Sequence, residues 1–145
     1  MNNLTTTLLI SLHCAAAAQI GVAILNLFLV RLMKWQPDLA RMSLLVREVF
    51  QVHAWFISVT LLIFGTLTWR FAAEMANGGD LIAKWLCAGI GIFWAIRTVL
   101  QVTYYSSSHW RGQAGRTLAH VGLLFCYGGM SVVYFLAAFG SKGSL

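Results

Sequence analysis

The sequence predicts an all-α integral membrane protein whose four transmembrane helices form an up-down-up-down antiparallel bundle. Of the 145 residues, 59% are hydrophobic and only 10% are charged. A soluble domain of this size could not bury so much apolar surface, whereas a bilayer accepts it. Four apolar stretches reach the length of about 20 residues that a helix needs to cross about 30 Å of hydrocarbon. Their short connections favour antiparallel neighbours, and residues 1–145 form a single predicted domain.

The first two predicted spans are Thr6–Leu32 and Val46–Ala72. Small residues at Ala15–Ala18 give the first span some likeness to a signal peptide. It lacks a basic segment before the apolar run, and that run continues well past the alanines, so we predict a retained helix. The connection after it contains the only proline, Pro37, a residue that cannot continue a helix.

The third and fourth predicted spans are Leu81–Tyr105 and Thr117–Phe139. The connection before the third span, Ala76–Asp80, contains two consecutive glycines and is typical of a turn. Its last residue, Asp80, is a good N-cap for the helix that follows. The connection before the fourth span, Ser106–Gly112, is the most polar of the three.

The distribution of basic residues predicts the orientation. Seven of the ten lysines and arginines fall on one side, namely Arg31, Lys34, Arg41, Arg47, Arg97, Arg111 and Arg116. The positive-inside rule then places the first and third connections in the cytoplasm, and we expect a bacterial inner-membrane protein with both termini in the periplasm. The net charge of +6 does not indicate nucleic-acid binding, because the basic residues lie at the ends of apolar runs rather than in one patch.

Arg97 is the strongest indication of a functional site, because it lies inside an apolar run. A charge at the centre of a span costs about 2.5–3.5 kcal/mol on insertion scales and usually marks a functional site. Gln101 and Tyr104 follow it at steps of four and three residues, which places all three on one helical face. Polar residues on the other spans reach the same side of the membrane. We therefore predict an intramembrane polar pocket near the cytoplasmic leaflet, formed by Arg97, Gln101, Tyr104, Glu48, His53, His109, Arg116 and His120.

The first functional hypothesis is a redox cofactor or metal site. Two imidazoles facing each other across a bundle can ligate a b-type haem, and guanidinium groups suit its propionates. The predicted cofactor-binding residues are His53, His120, Arg97, Gln101 and Arg116. A mixed histidine and carboxylate set would instead suit iron, copper or zinc. The predicted metal ligands are Glu48, His53, His109 and His120.

Two alternative hypotheses remain open. In the first, the protein is an enzyme or binding protein for an amphiphile such as a lipid phosphate, an isoprenoid or a quinone. Glu48 or His53 would then act as a general base, and Tyr104 as a proton donor. In the second, the chain is a non-catalytic small subunit or assembly factor, which meets membrane-protein partners or further copies of itself within the bilayer. The residues alone do not rank an enzyme above a binding protein.

Overall fold

The computed structural model describes residues 3–104 and 114–140 of the chain, and within these ranges the protein is helical without any strand. Four of its helices are long and apolar enough to cross a membrane, which confirms the predicted fold class. The up-down order of all four in one bundle stays a prediction. The elements are α1 (Asn3–Leu32), α2 (Gln36–Ala40), α3 (Leu44–Asn77), α4 (Leu81–Thr103) and α5 (Ala114–Phe135), which continues as a π-helical segment (Leu136–Gly140).

Two helices are longer than the spans predicted from the sequence. Helix α1 has 30 residues and α3 has 34 residues. About 20 residues cross the hydrocarbon thickness of about 30 Å, so each helix has more residues than one crossing requires. Helix α3 also departs from helical backbone angles at Phe71, where φ is −110° and ψ is 19°. Hydropathy located the apolar part of each helix, whereas the helices themselves extend into more polar sequence.

The first connection is ordered by a left-handed turn followed by the short helix α2. Lys34 has a φ of 55°. Its N–H donates to the carbonyl of Arg31 at 3.2 Å, and the N–H of Trp35 donates to the carbonyl of Val30 at 3.0 Å. This pair of bonds is the Schellman motif, with a lysine at the position that glycine usually occupies. Pro37 lies in the first turn of α2, where its missing N–H costs nothing.

The second connection contains the helix cap predicted from the sequence. The carboxylate of Asp80 accepts hydrogen bonds from the backbone N–H groups of Ile82 at 3.2 Å and Ala83 at 3.3 Å. This geometry confirms Asp80 as the N-cap of α4. Before it, Gly78 has a φ of 62°, a conformation that glycine adopts without steric cost.

The chain divides into two compact units, and each is described by itself. The first unit, Cys14–Arg70, pairs α1 with α3 in antiparallel register. The amide of Asn26 donates to the carbonyl of Ala54 at 2.8 Å and to the hydroxyl of Ser58 at 2.9 Å. Towards the other end of this pair, a Cβ added at Gly65 would lie 2.8 Å from the side chain of Ile20. An interhelical hydrogen bond and a small residue at a close approach are typical of helix pairs in membranes.

The second unit, Met1–His13 with Phe71–Leu145, contains the antiparallel pair of α4 and α5. The hydroxyl of Ser131 donates to the carbonyl of Gly91 at 3.1 Å. A Cβ at Gly91 would lie 3.1 Å from ring atoms of Phe135 and 3.3 Å from the Cβ of Tyr134. Gly91 is therefore the position at which α5 approaches the backbone of α4, and this contact sets the register of the pair.

Substituting Gly91 with alanine should destabilise the protein by about 1–3 kcal/mol, because the added methyl group overpacks the contact with Phe135 and Tyr134. Gly89→Ala is the matched control, since a Cβ at Gly89 meets no atom within 4 Å. Unfolding by a denaturing detergent in mixed micelles would measure both. Equal stability of the two variants would contradict the close approach at Gly91.

Lys34→Gly should be more stable than Lys34→Ala by about 1 kcal/mol, because a left-handed conformation costs a residue with a Cβ about 1–2 kcal/mol and costs glycine nothing. Both substitutions remove the same charge, so the comparison isolates the backbone. The same unfolding assay applies. A Lys34→Ala variant as stable as Lys34→Gly would show that the turn is not left-handed at this residue.

Candidate functional site

The α4–α5 pair brings two of the predicted site residues into contact. The amide Nε2 of Gln101 donates to the ring Nδ1 of His120 across 2.8 Å. Gln101 is buried, and His120 is partly buried. The contact joins the polar face of α4 to that of α5.

Arg97 contacts an aromatic ring of α5. Its guanidinium carbon lies 4.9 Å from the ring centroid of Tyr127, which is the geometry of a cation–π interaction. Such contacts are worth about 0.5–2 kcal/mol, and most when the cation is desolvated. Tyr127 is buried and Arg97 is partly buried. The aromatic face thus stabilises a charge that lies within an apolar segment.

Trp94 completes the contacts around Tyr127. The two rings stack with centroids 5.1 Å apart and an interplanar angle of 26°. Trp94 is only 1% exposed, which makes it the largest fully buried side chain in the described part of the protein. We call the set Trp94, Arg97, Gln101, His120 and Tyr127 the α4–α5 polar cluster.

Two buried polar atoms of this cluster have no hydrogen-bond partner among the described residues. They are the indole Nε1 of Trp94, a donor, and the amide Oε1 of Gln101, an acceptor. Leaving such a group unsatisfied costs about 1–3 kcal/mol, and nearly all buried polar groups in native proteins have a protein, water or ligand partner. Seven residues separate the two side chains, which places them about 10 Å apart along one face of α4, with Arg97 between them.

Three predicted site residues lie outside this cluster or outside the description. Tyr104 follows the last turn of α4 and is 82% exposed. His109 lies outside the described residues. Arg116 belongs to α5, but its side chain is not described. The hypotheses that involve these three residues stay predictions.

The α3 candidates, Glu48 and His53, are exposed residues of the first unit. No residue of α3 from position 44 to position 57 is buried. The first buried side chain is Ser58, whose hydroxyl donates to the carbonyl of Ala54 at 2.9 Å. Helical periodicity shows which residues share a face, but it does not show which part of that face is packed.

The metal hypothesis gains no support from the described residues. Within positions 3–104 and 114–140, no group of three or more histidine, cysteine, aspartate or glutamate side chains could hold a metal ion. Of the predicted ligands, Glu48 and His53 belong to the first unit and His120 to the second. The haem and metal assignments therefore stay predictions.

Trp94 and Tyr127 belong to the cluster but were not among the site residues predicted from the sequence. The available signal was the spacing of Trp94, Arg97 and Gln101, which fall three and four residues apart. Aromatic residues at such spacing are common in any helix core. The spacing therefore could not show that Trp94 contacts Tyr127, because that contact depends on the register of α5 against α4.

Comparisons with known proteins add no functional assignment. None of the family models, curated proteins or solved structures with which the chain was compared matches it. The functional argument therefore rests on the residues and their geometry.

Tyr127→Leu should destabilise the protein by about 1–3 kcal/mol more than Tyr127→Phe, because leucine loses both the aromatic stack with Trp94 and the cation–π contact of Arg97. Phe125→Leu is a control on the same helix, where the side chain is 76% exposed. Free energies of unfolding in micelles would compare the three. Equal losses for Tyr127→Leu and Phe125→Leu would contradict the role given to the ring.

Proposed function

We propose that the protein binds the neutral, oxygen-bearing head of a membrane amphiphile of the quinone class at the α4–α5 polar cluster. The observation that supports this most strongly is the buried indole Nε1–H of Trp94, which has no acceptor among the described residues. A ligand carbonyl would satisfy this donor. The positive charge of Arg97, one turn along the same face, also favours an oxygen-bearing head.

The depth of Trp94 favours a neutral head over a phosphate. Trp94 lies nine residues before the end of α4 at Thr103, which corresponds to about 13 Å along the helix axis. At that distance from the head-group layer, a phosphate would lose most of its hydration at high cost. A carbonyl loses far less, and a single hydrogen bond compensates much of that loss. An apolar tail would remain among the lipid chains.

The proposal covers binding and leaves the catalytic hypotheses aside. Glu48, His53 and Tyr104, the predicted catalytic residues, are exposed and lie outside the cluster. The small-subunit hypothesis stays a prediction. For the cellular setting we propose the bacterial inner membrane with both termini in the periplasm, and the excess of lysine and arginine on one side supports this orientation.

The test uses full-length protein in neutral detergent micelles, titrated with a short-chain benzoquinone while the Tm is followed. A ligand that binds only the folded state raises the Tm in a saturable way. Trp94→Phe keeps an aromatic ring but removes the indole donor. It should weaken quinone binding about tenfold, as expected for the loss of one buried hydrogen bond.

Trp85→Phe is the matched control, because Trp85 lies on the same helix and is 71% exposed. It should bind the quinone as the unmodified protein does. Titration with phosphatidylglycerol tests the other candidate head group. The proposal of a neutral head would be refuted if this lipid, and not the quinone, gave a saturable Tm rise that depends on Trp94. Unchanged quinone affinity in Trp94→Phe would refute the site itself.

A further inference from the structure

Residues 31–47 comprise the segment that joins α1 to α3 and the adjoining helix ends, and we call the surface they form the basic connection. It contains four cationic side chains, Arg31, Lys34, Arg41 and Arg47, and a single acid, Asp38. Three of the cations are exposed and Arg47 is partly buried. From these and the following observations we infer that the basic connection binds anionic phospholipid head groups of the bilayer in which the protein lies.

The charges of the basic connection are not neutralised within the described protein. None of its four cations forms an ion pair or a side-chain hydrogen bond with the residues that the structure describes. Asp38 is exposed and likewise forms no ion pair with them. The cluster has a net positive charge and lies next to two membrane spans, but it has no counter-anion in the described protein. The phosphates at the surface of a bilayer supply such an anion.

Exposed apolar side chains lie among the same cations. They are Met33, Trp35, Met42, Leu44 and Leu45, each between 36% and 70% exposed. A purely aqueous anion, such as an acidic protein or a nucleic acid, would leave these side chains in water. The boundary between head groups and acyl chains accommodates both kinds, because apolar groups enter the acyl layer while cations remain at the phosphates. The mixture therefore favours a lipid surface over a soluble partner.

The backbone holds this mixed surface in one conformation. The N–H of Leu39 donates to the carbonyl of Trp35 at 2.9 Å, and that of Arg41 donates to the carbonyl of Asp38 at 3.2 Å. Leu39 is 6% exposed and anchors α2. With the left-handed turn at Lys34, the connection is an ordered turn and helix. The entropy cost of ordering the backbone of the connection is thus met on folding rather than on lipid binding.

The lengths of the flanking helices are consistent with a connection at the level of the lipid phosphates. Helix α1 and helix α3 together have far more residues than two crossings of the hydrocarbon require. Because the four cations of the connection would be costly to place in hydrocarbon, part of this excess falls at the adjoining ends, at the level where phosphates lie. This inference does not depend on the α4–α5 polar cluster, which shares no residue with the basic connection and favours a neutral head.

The experiment counts lipids retained by the full-length protein in native mass spectrometry, from an equimolar mixture of phosphatidylglycerol and phosphatidylcholine with identical acyl chains. The unmodified protein should retain phosphatidylglycerol preferentially. Lys34→Gln/Arg41→Gln should reduce that preference about tenfold, because each basic residue near the surface contributes to the attraction of anionic lipids. Added salt should weaken the preference of the unmodified protein, since the contact is exposed and screened.

Arg70→Gln/Lys84→Gln is the matched control, because it removes two cations from elsewhere in the chain, and it should retain the preference. Trp94→Phe should also retain it, which separates this inference from the proposed quinone site. The inference fails if the unmodified protein retains both lipids equally, or if its preference is insensitive to salt. It also fails if the control variant loses as much of the preference for phosphatidylglycerol as Lys34→Gln/Arg41→Gln does, or if Trp94→Phe abolishes that preference. The salt titration needs no variant, so a preference insensitive to salt refutes the inference even if a double variant does not fold.

Discussion

The polar groups buried between α4 and α5 are the constraint on which the account depends. Hydrocarbon offers no hydrogen bonds, so each polar side chain inside a span must find a partner in the protein, in water or in a ligand. The guanidinium of Arg97 contacts the face of the Tyr127 ring, and the amide of Gln101 is hydrogen-bonded to His120. The indole of Trp94 and the carbonyl of Gln101 remain without a partner in the described protein. This incomplete satisfaction is the observation from which the proposed ligand site is argued.

The fold class could be predicted from the sequence because the bilayer limits a chain of this composition to helices of a minimum length. The N-cap at Asp80 could be predicted for an equally local reason, since its carboxylate meets N–H groups two and three residues away. The ends of the helices could not be predicted from the sequence in this way. Hydropathy reports where the hydrocarbon begins, whereas α3 continues as helix beyond Ala72 to Asn77. Helix termination depends on capping and turn geometry, which an apolar average does not report.

The candidate site could be predicted only in part, because a helical face is a local property and a contact is not. Periodicity placed Arg97 and Gln101 on one face of α4, and His120 on the polar face of α5. Their meeting depends on the register of the two helices, which is set at Gly91 by contacts with Tyr134 and Phe135. Periodicity does not report burial, and Glu48 and His53 lie on an exposed stretch of α3. The two surfaces that emerge differ in chemistry: a deep cluster with an unsatisfied neutral donor, and a basic connection among exposed apolar residues.

The hydrogen bond offered by the indole of Trp94 is the most direct test of the central claim. The measurement is the proton and nitrogen chemical shift of that indole N–H, recorded by magnetic resonance on isotope-labelled protein in lipid bilayers and assigned by the signal that Trp94→Phe removes. A short-chain benzoquinone added to the bilayer should move this proton downfield, as formation of a hydrogen bond to a carbonyl does, while the other indole signals stay in place. An indole signal of Trp94 that does not move at saturating quinone, or that moves no more than the others, would contradict the claim that this donor receives a ligand.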